Sequence, residues 1–308
     1  MRSSKSAAFA ASAPLVGATI TVMNSLNSRF TLAVGSTLAV LAIHVAGLAA
    51  VCLILLFRKE EGSGDRPPFY YYLGGLAGVG TVFTSAYAFS RLGAALAVSV
   101  ALLGQTLFAL TADSTGILGR TRYPLSPRRA PGIALAVAGI AVMSIGTGHP
   151  EPLPFLAALA AGAIPGLTFV LNSELGKRLG VFRSTRINYV MGLGTTLAVA
   201  LVLRPSLVGA AGNFLKAGPL LVLGGGLLGV LVTTAMNLIM PRIPAFTATI
   251  LLFTGQAAAG LAIDAIARGS LDLRKLLGTA ILVAGLALDT ALRRQNPEAP
   301  LPTRAAPR

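Results

Sequence analysis

The chain of 308 residues holds one cysteine, two histidines, no tryptophan and ten carboxylates. A lone Cys52 excludes an intrachain disulfide and a cysteine-built metal centre, and reads as a small buried hydrophobe. Two histidines with no histidine/acid spacing give no metal site, and no cofactor is expected. No G-x-x-x-x-G-K-[ST] occurs, which excludes a phosphate-driven pump within this chain. No G-x-S-x-G or converging nucleophile and base points to an enzyme. Charged residues make up 11%, against about 25% in an ordinary soluble domain.

What fills the chain instead is apolar: 54% of it, with mean hydropathy +0.76. A bilayer-crossing helix needs about 20 such residues. Ten runs qualify, roughly 7–27, 32–56, 70–90, 94–113, 130–147, 153–173, 185–203, 218–240, 245–266 and 275–292. The expected fold is an all-α membrane protein of ten transmembrane helices, with the lipid bilayer as its first partner. The net charge of +15 sits in the loops between these runs. With the N-terminus inside, Lys and Arg divide 18 to 7 in favour of the inner segments, so both termini are expected in the cytoplasm. No basic patch interleaves with aromatics, so no nucleic-acid partner is expected.

The chain is written twice. Gly17, Asn27, Ser28, Gly35 and Gly47 return 145 residues later as Gly162, Asn172, Ser173, Gly180 and Gly192. At a shift of 151, "GGLAGV" from Gly74 returns as "GGLLGV" from Gly225, Arg91 as Arg242, and the Gln105/Asp113 pair as Gln256/Asp264. Near the ends the shift is 146, matching Arg128, Gly132 and Gly139 to Arg274, Gly278 and Gly285. Five spans per copy is an odd number, so the second copy must cross the membrane in the opposite sense, as in many secondary transporters. The expected division is a first five-helix repeat over 1–148, an inverted repeat over 149–292 and a Pro-rich, disordered cytoplasmic tail over 293–308.

Several motifs in order carry a family likeness: "NSR" at Asn27–Arg29, "LGGLAGV" from Leu73, "RLGAALAVSVALLGQ" from Arg91 and "PLSPRR" from Pro124. They resemble the YdcZ-like branch of the drug/metabolite transporter superfamily over about residues 10–290. The chain departs from that pattern at Met23, where a Gln is expected, and at Tyr70–Tyr72, where Trp is expected. The resemblance implies ten helices in the bacterial inner membrane and solute export.

Polar residues inside apolar runs are costly and normally face a cavity or a partner. Gln105 and Gln256 fall mid-helix at mirrored depths, each beside a glycine, Gly104 and Gly255, expected to let either a solute or a facing helix approach the backbone closely. Their carboxamides suit either a polar solute or a lock between the halves. Asp113 is expected near the inner end of its helix and Asp264 near the outer end of its own, as proton carriers or as solvated helix-end acids. Arg91 and Arg242 lie in tight turns, where they pair with those acids or snorkel to headgroups. Asn27, Ser28, Asn172 and Ser173 are expected at the ends of the first span of each copy, lining a vestibule or satisfying helix-end carbonyls. Arg29 corresponds to Glu174, a sign change between the copies, and His44 to Tyr189; Glu174 and His44 join the acids as candidates for proton coupling. Gly74/Gly78 and Gly225/Gly229 read as small faces for close helix packing, and Pro14 and Pro165 as kinks.

The expected function is alternating-access transport of a small polar or amphipathic metabolite, with proton coupling and a homodimer both left open. A membrane-embedded enzyme acting on a lipid-linked substrate is the alternative from another class, and a non-transporting scaffold or receptor is the third.

Overall fold

A computed structural model describes residues 2–60, 67–115, 127–145, 151–203, 212–214, 216–239 and 245–295. Among them are ten helices of fifteen residues or more: α1 (Arg2–Val34), α2 (Ser36–Phe57), α3 (Gly74–Leu92), α4 (Ala94–Thr115), α5 (Ala130–Ser144), α6 (Pro152–Leu179), α7 (Val181–Leu203), α8 (Gly218–Ile239), α9 (Ala245–Arg268) and α10 (Leu273–Gln295). No strand occurs among the described residues. Among the described residues four segments are long and apolar enough to cross a membrane: Ser36–Phe57, Ala94–Ala112, Val181–Val202 and Gly218–Met236. Ala130–Ser144, Pro152–Thr168 and Leu251–Ala267 are shorter apolar helices.

One glycine makes each of three tight joints. Gly35, Gly93 and Gly180 have φ of 84, 77 and 99°, with ψ near 160°, a region that is essentially closed to side chains. The Gly35 N–H donates to Thr31 O at 2.9 Å, ending α1, while its own carbonyl accepts from Ala39 N at 3.1 Å, starting α2. Gly180, its repeat partner, does the same between Gly176 O and Ser184 N. Such a joint reverses the chain without leaving buried backbone groups unsatisfied.

These joints move two expected boundaries. The NSR segment does not end a helix: α1 runs on through Val34, and α6 through Leu179, so Asn27, Ser28 and Asn172 lie inside helices. The polar cluster read as a boundary because it interrupts the apolar run, but only Gly35 supplies the required φ. Pro14 and Pro165 sit within continuous α1 and α6.

The two copies interlock. Helix α1 packs on α8 and α9 of the second copy, and α6 packs on α3 and α4 of the first. A methyl group on Gly17 would overlap the Leu252 carbonyl, and one on Gly162 the Ala101 carbonyl, which are repeat-related positions. The same reciprocity holds for Gly104 on Leu159 O with Gly255 on Pro14 O, and for Gly75 on the α7 backbone with Gly226 on the α2 backbone. Helices α5 and α10 pair with each other at one side, through Gly139, Gly278 and Gly285.

Candidate functional site

Eight helices, all but α5 and α10, line a chamber of about 170 Å³. Its wall is paired by the repeat: Ile20 with Pro165, Met23 with Thr168, Ile43 with Asn188, His44 with Tyr189, Gly78 with Gly229 and Gln105 with Gln256. The two glutamines of the repeated Gly-Gln motif therefore meet in one space. Among the described residues neither carboxamide has a hydrogen-bond partner, and both side chains are only half-buried. Gly104 and Gly255 do not open onto the chamber. Each admits the backbone of a facing helix, which decides between the two uses expected for them.

Asn27 also reaches the chamber wall, from the interior of α1. Its carboxamide lies against Gly225, and that of Asn172 against Gly74, again a repeat-related exchange. The Asn172 amide donates to Asn188 Oδ1 at 3.2 Å. The first glycine of each GGL motif thus receives an asparagine from the other copy, a use the sequence reading missed. The signal was present: both Asn and both Gly recur at fixed shifts. Gly78 and Gly229, expected as helix-packing glycines, line the chamber instead, and a methyl group on Gly78 would approach only Asn188.

His44 is buried, its Nδ1 bonded to Val40 O at 2.8 Å and its ring edge-on to Tyr189 at 5.9 Å. The Tyr189 hydroxyl donates to Gly226 O at 3.2 Å. Ser28 donates to Ala86 O at 3.0 Å, tying α1 to α3. The side chains of Asp113 and Ser173, and Arg242 as a whole, lie outside the described residues.

The other charges placed among the described residues stand away from the chamber. Glu174 pairs with Lys177 at the exposed end of α6. Arg91 lies 5.8 Å from the Tyr87 ring centre and does not reach Asp264. Asp264, on α9, instead forms a buried ion pair with Lys275 of α10, and its Oδ1 accepts from Ala94 N at 2.8 Å. It is a capping carboxylate at the positive end of α4, neither solvated nor paired with the arginine. Lys275 went unnoticed in the sequence, although the signal was there. The shift of 146 maps it onto Arg129, as the shift of 151 maps Asp264 onto Asp113, so the pair of charges is written twice.

Fold and chamber together define a helical membrane protein that holds a polar-studded, otherwise apolar space between two interlocked copies of one motif. The family model described as "Putative inner membrane exporter, YdcZ" matches twice, over residues 8–142 and 153–288, and the chain belongs to this family of the drug/metabolite transporter superfamily. No curated protein sequence matches it. A solved protein crystal structure aligns over 92% of this chain and 98% of its own, at 21% identity and a TM-score of 0.60, a likeness of fold alone.

Proposed function

We propose that the chain is a secondary transporter that moves a small polar or amphipathic metabolite through the chamber by alternating access. The observation that carries this reading is the meeting of Gln105 and Gln256, repeat-related and without a partner among the described residues, in one chamber lined by eight helices. All ten helices cross the membrane in this reading, as two inverted five-helix repeats over 1–148 and 149–292. Reciprocal contacts support the inversion, since a two-fold axis in the membrane plane exchanges α1–α9 with α6–α4. The interlocked halves have the form of a rocking pair around a fixed site. Cargo leaves the cell in the exporter sense of the family description. Asp264 is engaged in an ion pair, and His44 and Tyr189 are the titratable side chains among the described lining residues.

Replacing Gln105 or Gln256 by leucine keeps the size and removes the amide. In a dry site each lost hydrogen bond costs about 1–3 kcal/mol, or roughly five- to 150-fold in affinity. Solute binding to purified protein should weaken by that factor while the melting temperature without solute stays near that of the parent. A lowered melting temperature with unchanged affinity would assign the pair to helix packing.

Contacts at the helix ends support the alternating course. Glu60 caps α7 through Phe182 N and Arg183 N at one end, while Asp264 and the Arg274–Ile145 bond lie at ends assigned to the other side. Cysteines at Lys59 and Lys177 should react with an impermeant thiol reagent from the cytoplasm, and cysteines at Lys216 and Arg274 from outside. Labelling of all four from one side sinks the inverted arrangement.

A further inference from the structure

We infer that the chamber selects an uncharged cargo: a molecule of about six to ten non-hydrogen atoms with an apolar body and one hydrogen-bonding head, such as a carboxamide. This deepens the transporter reading and rests on it. The first observation is electrostatic. None of the described lining residues is Asp, Glu, Lys or Arg, and the buried Asp264–Lys275 pair, internally neutralised, stands outside the wall. A carboxylate or ammonium entering here leaves its water and meets no counter-charge, the most expensive form of burial.

The second observation is the hydrogen-bonding capacity left open. Gln105 and Gln256 each offer two N–H donors and a carbonyl acceptor, with no partner among the described residues. Pro165 has no N–H to give, so the Ala161 carbonyl one turn earlier in α6 lacks its helical donor, and both residues line the chamber. Thr168 adds a buried hydroxyl with no partner among the described residues. These groups match a head that both donates and accepts, and each is a dipole rather than an ion. The third observation is size: about 170 Å³ is close to the roughly 150 Å³ of an apolar cavity that takes up benzene. Val82, Val98, Phe89, Met236 and Leu252 supply the apolar wall for such a body.

Benzamide, benzoate and benzamidinium have one shape and three charges, which makes them the test. Their binding to the full chain in lipid nanodiscs is followed by thermal unfolding and calorimetry at pH 8, where a free imidazole is neutral. Benzamide should bind, and Gln105→Leu should weaken it at least about fivefold. Both ions should bind at least about a hundredfold more weakly than benzamide. An ion that binds as well as benzamide or better, with Gln105→Leu still weakening it, overturns the charge selection and leaves the chamber as the solute site. Binding of no probe, or binding indifferent to Gln105→Leu, removes the chamber as the solute site and this inference with it.

Discussion

Replacing Asp264 by asparagine is expected to destabilise the protein by about 3–5 kcal/mol, the cost of leaving a buried charge without its partner. Lys275 is 2% exposed, so its ammonium cannot turn to water when the carboxylate is gone. Lys275→Met should cost less, because Asp264 keeps the Ala94 N–H and the positive end of α4. The double variant Asp264→Asn, Lys275→Met leaves neither charge stranded, and buried pairs exchanged for neutral groups are often tolerated. It should therefore recover most of the loss of Asp264→Asn. Unfolding of the three variants in nanodiscs, arranged as a double-mutant cycle, reads the coupling. A double variant as unstable as the sum of the singles would show that the two groups do not act on each other. The cycle also separates two roles for Asp264. A solvated proton carrier would leave stability untouched when neutralised, whereas a cap joining α4, α9 and α10 would not.

Much of this was legible in the sequence. Ten apolar runs anticipate the ten long helices among the described residues, because lipid-compatible and helix-forming residues coincide in Ala and Leu. The repeat shifts anticipate which residues exchange places across the molecule, and Gln105 with Gln256 is the clearest case. What the sequence concealed has a common cause. In the sequence a polar cluster marks a helix end, and polarity does not end a helix. Asn27 and Ser28 look terminal, yet their side chains find Gly225 and Ala86 O on other helices, and the backbone continues to Gly35. The turn arginines stand in the sequence as either partners for the acids or headgroup anchors, whereas the partner of Asp264 is Lys275, across the turn that joins α9 to α10. A glycine reads only as a small residue. Whether it admits a backbone, an asparagine or open space depends on what the fold brings against it.

That last dependence gives the other large effect, in which one substitution has opposite signs at two glycines. At Gly255 an added methyl would overlap the Pro14 carbonyl of α1, and at Gly104 the Leu159 carbonyl of α6. Both obstacles are backbone held in helices, so the whole helix pair must separate. Overpacking of this kind costs about 1–3 kcal/mol. Gly194 in α7 has no atom within 4 Å of the same methyl. There the change removes only the flexibility of a helical glycine, worth roughly 0.5–1 kcal/mol in favour of alanine. Gly255→Ala should lower the melting temperature and Gly194→Ala should hold or raise it. The first should also weaken solute binding, because Gln256 is the next residue and moves with α9. Equal shifts at the two positions would contradict the close approach of α1 and α9, which is the contact that sets the depth of Gln256 in the chamber.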